Sequence, residues 1–275
     1  MTPQLNVFFE SAEMKNITIF VIGLICAVNC VLAQDANLTQ ETKLGIQLDV
    51  TWVSKYIWHG QDLYEGRAAF QPSINIDLFG TGFSVNVWSS SACSSGFVSS
   101  DEFDYTVAYT NSLFEDTKFK IDYELKWLYY DYTRISSDEA DSQEFEFSFS
   151  WPDIFSCGIV PNYTLSYLYA AKGDSPAAAL EMEGCLHTFG FTYDVNIPKV
   201  ELPLPLTLSW DITYNDGQGG PDFAHDWAYI TWGASSYIKF GPGGFTPAVY
   251  YQTTMDKSVN EEDEFWCSFS YTVDF

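Results

Sequence analysis

The chain has 275 residues, with 12 lysines and arginines against 37 aspartates and glutamates and a formal net charge of −25 at pH 7. Such a charge repels nucleic-acid phosphates, which excludes DNA and RNA as partners. Acidic disorder is excluded as well, because 47% of the residues are hydrophobic and 18% aromatic, far more apolar material than an unfolded chain carries.

The first element is a targeting segment. Met14 and Lys15 form a short charged start, Ile17 to Val28 an apolar run, and Val31-Leu32-Ala33 a small-residue cleavage site. The run falls short of the roughly 20 residues a spanning helix needs, so residues 1–33 read as a signal peptide, with Met14 a candidate initiator. Its removal takes away Glu10, Glu13 and Lys15 and leaves 11 bases against 35 acids, a net charge of −24. Residues 34–43 are then a short periplasmic segment, and 44–275 the folded part. Cys26 and Cys30 leave with the signal, while Cys93, Cys157, Cys185 and Cys267 lack metal-ligand spacing and leave three disulfide pairings open.

From residue 44 onward one pattern repeats about twelve times, with apolar or aromatic residues at every second position and polar ones between. The first segment sets Leu44, Ile46, Leu48, Val50 and Trp52 against Gln47, Asp49, Thr51 and Lys55. The second sets Ile74, Ile76 and Leu78 against Ser73, Asn75 and Asp77. Phe83, Val85 and Val87 mark the third, and Phe103, Tyr105, Val107 and Tyr109, against Asp104 and Thr106, the fourth. The fifth is longest, running from Phe119 to Tyr129 against Lys118, Lys120, Asp122, Glu124 and Lys126. Phe145, Phe147, Phe149 and Trp151 flank Glu146 and its parity in the sixth. Tyr163 to Tyr169 and Phe189 to Val195, with Asp194, follow. The ninth spans Leu204 to Ile212 with Asp211, the tenth Ile230 to Ile238 with Lys239, and the eleventh Phe245 to Tyr251. The twelfth runs from Phe265 to Phe275 with Asp274 on the opposite parity.

The connections alternate in length. Residues 60–67, 89–102, 131–143, 171–184, 215–226 and 254–264 are long and polar. They hold about half of the chain's 37 acids against Arg67, Arg134, Lys172 and Lys257. Those between are shorter or punctuated by glycine and proline, as at Gly80-Thr81-Gly82 and Gly241 to Gly244. Long external loops alternating with short periplasmic turns are the outer-membrane pattern. The expected fold is therefore all-β, a transmembrane antiparallel up-and-down β-barrel of about twelve strands in a bacterial outer membrane. Its apolar parity meets lipid, closure satisfies every strand edge, and Trp52, Trp58, Trp127 and Trp151 are expected in interfacial girdles. Phe269, Tyr271, Val273 and the terminal Phe275 resemble the signal by which such proteins are handed to the outer-membrane assembly machinery.

One stretch is more specific. Val50-Thr51-Trp52-Val53-Ser54-Lys55-Tyr56-Ile57-Trp58-His59-Gly60, then Ala69-Phe70-Gln71-Pro72-Ser73-Ile74 and Phe83 to Ser89, resembles the opening of the TorF-type porin family, outer-membrane proteins of largely unassigned function. The resemblance covers residues 44–89. It implies a barrel and a channel and names no substrate. His59 stands where that family usually has arginine.

Inward parity predicts the pore-lining set Asp49, Lys55, Asp77, Asp104, Lys118, Lys120, Asp122, Glu124, Lys126, Glu146, Asp194, Asp211, Lys239 and Asp274. Lys118, Lys120 and Lys239 are expected at the periplasmic depth of Asp49, Asp77, Asp194 and Asp274 and to neutralise them. The leading function is passive diffusion of small hydrophilic solutes, with cations favoured by the acidic rim. The alternative is a non-conducting surface barrel whose lumen is ion-paired and whose acidic loops bind a partner. An outer-membrane hydrolase comes third: of His59, His187 and His225, the last lies beside Asp226 and near Asp222, but no nucleophile, base and orienter assemble, so no enzyme is expected. Neither a metal nor a cofactor is expected, since Glu261 to Glu264 and the acids 138–141 match no EF-hand spacing. The expected partners are outer-membrane lipids, the assembly machinery and small solutes.

Overall fold

The computed structural model describes residues 44–97, 101–137, 139–172, 182–195, 204–220, 223 and 225–275. The expected signal peptide and the segment 34–43 lie outside these residues.

Fifteen strands form: β1 Gly45–Val53, β2 Ile57–Trp58, β3 Gln61–Asp62, β4 Ala69–Asp77, β5 Phe83–Ala92, β6 Glu102–Leu113, β7 Ile121–Asp131, β8 Ser142–Ser150, β9 Ile159–Ala170, β10 Gly184–Asp194, β11 Thr207–Asp216, β12 Asp226–Ser235, β13 Ile238–Phe240, β14 Gly243–Thr254 and β15 Glu264–Asp274. Each long strand pairs antiparallel with its neighbours in the chain. β1 closes on β15, and β12 on β14, so twelve long strands make a ring without a free edge. Closure leaves none of the twelve long strands with an unpaired edge, as a span through lipid requires. β2 and β3 form a separate hairpin inside the first long loop, and β13 continues β12 beyond a break at 236–237.

Register carries the period-two pattern around the ring. Trp52 lies opposite Phe70 on one side and Phe269 on the other, whereas Asp49 lies opposite Ser73 and Thr272. The apolar parity thus shares one face on all strands, and that face is bare: Val50, Tyr105, Phe147, Trp232 and Phe269 are all exposed. A soluble protein does not expose so continuous an apolar surface, and lipid is the medium that suits it. Aromatic pairs run along it, with Trp52 stacked on Phe269 at 5.8 Å and Phe191 on Trp210 at 5.5 Å.

Several expected boundaries move. The fifth strand starts at Ile121 because residues 114–120 form a turn, closed by Thr117 N–H to the Phe114 carbonyl (3.0 Å) and Lys120 N–H to the Thr117 carbonyl (3.1 Å). The ninth begins at Thr207, not Leu204, and Trp151 falls just past β8. The tight turn at Gly82 depends on glycine, since φ is +86° and a Cβ there would collide with the Thr110 carbonyl. The start of β1, the end of β15 and the short turns share one end of the ring. Both buried apolar clusters, Val53, Tyr56, Tyr64 and Ala69, and Ala228, Tyr229 and Val259, lie at the other, the loop end.

Candidate functional site

The first long connection, residues 54–68, does not stand out from the barrel. It folds into the lumen. Asp62 fixes its shape by accepting from the Tyr64 (3.2 Å) and Gly66 (2.5 Å) N–H groups, and Leu63 N–H donates to the Tyr56 carbonyl at 3.0 Å. Tyr64 donates to Ser90 of β5 and Tyr56 to Glu102 of β6, both at 3.1 Å, while Trp58 meets the Tyr130 ring of β7 edge-on at 5.6 Å. On the opposite side the Gly60 carbonyl accepts from Gln252 of β14 (2.8 Å) and Asn260 (3.0 Å). The tip therefore bridges the lumen.

Gly60 sits at φ +85°, and a Cβ would come within 2.5 Å of the Tyr229 ring, so only glycine fits. The neighbouring His59 also takes a left-handed φ, 47°, which a non-glycine residue holds only when its surroundings compel it. They do: Gln218 Nε2 lies 2.6 Å from His59 Nδ1, and Glu144 lies 3.6 Å from His59 Nε2. Gln218 is placed by a reciprocal clasp with Asn215 (2.7 and 2.8 Å). Trp58, expected in a girdle, is thus a lumen residue, because the loop carrying it turns inward and stacks it on His59 at 4.0 Å.

Beneath the loop lie three acidic side chains, Glu102, Asp104 and Glu144, only 1%, 8% and 1% exposed. Glu102 accepts from Tyr56 and from Tyr132 (3.2 Å), and Glu144 accepts from Tyr130 (2.6 Å). Burial, followed by the charge of Glu102, pushes the Tyr56 and Tyr132 phenols well above their ordinary range, so both remain donors. Asp104 Oδ1 is buried without a hydrogen-bond partner.

The turn-end half is open. A cavity of about 540 Å³ lies against β6 to β9, lined by Ser112, Asp122, Glu124, Ser148, Asn162 and Thr164 among others. Here Lys126 pairs with Glu124 (2.8 Å) and Glu146 (2.9 Å), and Lys120 with Asp122 (3.0 Å), which also accepts from Ser112. Asp211 faces Thr231 across β11 and β12.

The expected lysine-to-aspartate pairing across the lumen is not made among the described residues. Asp49 accepts from Thr51 (2.7 Å) and Thr272 (2.6 Å), Asp194 from Thr207 (2.6 Å), and Asp274 from Gln47 (2.8 Å). Asp77 caps its own turn through Gly80 N–H at 2.6 Å. Adjacent hydroxyls, amides and backbone N–H groups reach these carboxylates without ordering a long side chain. Lys118 lies in the 114–120 turn, exposed, its Nζ 4.9 Å above the Phe119 ring, and Lys239 is exposed on β13. Lys55 falls beyond β1 and pairs with the buried Glu264 at 2.6 Å.

By sequence Glu102 and Glu264 fall in loops, Tyr56 stands out only within the stretch that resembles TorF-type porins, and Glu144 and Tyr64 do not stand out. Parity reaches the acids, since Glu102 shares the phase of Asp104, and Glu144 that of Glu146. Nothing local marks Tyr64. His187 receives a hydrogen bond from Tyr163 or donates one to it (2.8 Å), and His225 pairs with Asp216 (2.7 Å), not with Asp226. Cys93, Cys157, Cys185 and Cys267 are all unpaired.

No family model matches the chain, and no curated protein matches it. Among solved structures it is similar to the KdgM porin, at 10% identity and a TM-score of 0.46 over 83% of this chain and 98% of that one. It is similar also to the NanC porin (12%, 0.48, 82% and 98%) and to LpxR from Salmonella typhimurium (11%, 0.42, 82% and 99%). The barrel itself rests on the closed strand pairing.

Proposed function

We propose that the protein is an outer-membrane channel for small hydrophilic solutes that prefers cations. The observation that carries this reading is the charge of the inner wall: among the described residues the barrel strands bear two lysines, Lys126 and Lys239, and no arginine, and Lys126 is held between two glutamates. Carboxylates on both halves of the wall raise the local concentration of cations and oppose anions. The resemblance of residues 44–89 to TorF-type porins agrees with it. Phe269, Tyr271, Val273 and Phe275 would serve as the assembly signal. Reversal potentials of refolded protein in a salt gradient test the selectivity, and a preference for anions would refute it.

A second reading, a barrel closed to solutes, is favoured by the tip contacts of His59 and Gly60 with opposite walls. Planar-bilayer recordings separate the two. A channel conducts with the first loop intact, whereas a closed barrel conducts only when residues 57–64 are replaced.

A further inference from the structure

The three acids under the first loop are unequally satisfied. Phenols satisfy Glu102 and Glu144, yet Asp104 Oδ1 is buried with no donor. A carboxylate oxygen held dry and unpartnered is strongly unfavourable. Among the described residues no lysine or arginine lies within ion-pair distance of the three, and the single imidazole, His59, approaches only Glu144, at 3.6 Å. No group of three His, Cys, Asp or Glu side chains among the described residues is spaced to hold a metal ion. A compact cation that donates hydrogen bonds suits the unpartnered Asp104 Oδ1 and the two neighbouring carboxylates.

We propose that Asp104, with Glu102 and Glu144 beside it, is a binding station for the ammonium group of a small amine solute, an inference that rests on the channel reading and names its substrate class. The approach is from the open half. Up β6 from the cavity, the inward positions are Thr110, Ala108, Thr106 and then Asp104, so an entering amine meets the orphan oxygen before Glu102. An ammonium N–H fills Asp104 Oδ1, and its charge offsets the trio. The first loop reaches Glu144 through His59 at 3.6 Å, beyond hydrogen-bond length, so an ammonium group competes there with a weak contact.

Calorimetric titration of refolded full-length mature protein in detergent with methylammonium chloride, at ionic strength held constant with KCl, tests this. Saturable one-to-one binding is expected, unaffected by potassium at equal concentration. Asp104→Asn should weaken it by about tenfold or more, the size of a lost charge-assisted hydrogen bond, and Asp194→Asn in the open half should leave it unchanged. If Asp104→Asn does not refold, Glu102→Gln takes its place, with the same weakening expected. Absence of saturation, equal affinity in the variant, or equal competition by potassium overturns the station. So does a variant that is merely more stable while the wild type binds nothing, because the orphan oxygen would then carry a proton. Bilayer current keeps the two proposals apart: binding without conductance sinks the channel reading alone, and conductance without binding sinks the station alone.

Discussion

The two halves of the lumen are built from the same twelve alternating strands and end in opposite states. At the turn end the inward carboxylates take neighbouring hydroxyls, amides and lysines as partners and border an open cavity. At the loop end carboxylates of the same parity are dry, because a single loop has turned in on them. Strand pairing sets where a carboxylate points. Whether it is hydrated depends on what lies above it.

Replacing residues 57–64 with a short Gly-Ser linker should erase the difference. Conductance of the refolded barrel is expected to rise by about tenfold as the loop end widens, with heat-modifiable gel migration retained, since the ring closes without the loop. An unchanged current would mean that the loop does not limit the pore. Tyr64→Ala attacks the same region through packing. Tyr64 is 1% exposed and bonded to Ser90, so its loss should cost about 3–5 kcal/mol in urea refolding, against less than about 0.5 kcal/mol for Asp194→Ala at the open end.

Gly60→Ala probes the tip alone. The added methyl meets the Tyr229 ring in a left-handed backbone, and a loss of about 1–3 kcal/mol is expected by the same measurement. Lys126→Met is the matching change in the open half. It frees Glu124 and Glu146, so the permeability of cations over anions should increase about twofold while loop-end stability is untouched.

The smallest effect is one of pH. The Glu264 hydrogen bond raises Lys55 above its ordinary value, and burial pushes Tyr64 up to about 12. Both groups keep their protons more tightly folded than unfolded, so their contribution is complete below about pH 10 and declines as pH rises towards the folded values. Amide exchange of residues 54–68, compared with Lys55→Met at each pH so that intrinsic exchange cancels, should accelerate only above that point. Loosening near neutrality would show that other groups hold the loop.

The sequence by itself determined the barrel: about twelve strands, their inward and outward faces, and which connections are long. Alternation is a local property, and each segment from Leu44 to Phe275 shows its phase without reference to any other. Only the tertiary structure decided the lumen. Tyr56 finds Glu102 46 residues away, His59 finds Gln218 159 away, and the Gly60 carbonyl finds Asn260 200 away. A loop's direction depends on such distant partners, which ring closure brings to one place. Lys118 shows the converse, because its inward parity held no meaning once residues 114–120 closed into a turn. Parity describes strands, and where the backbone leaves the sheet the side chain's partner is chosen by reach, as at Asp77 and Gly80.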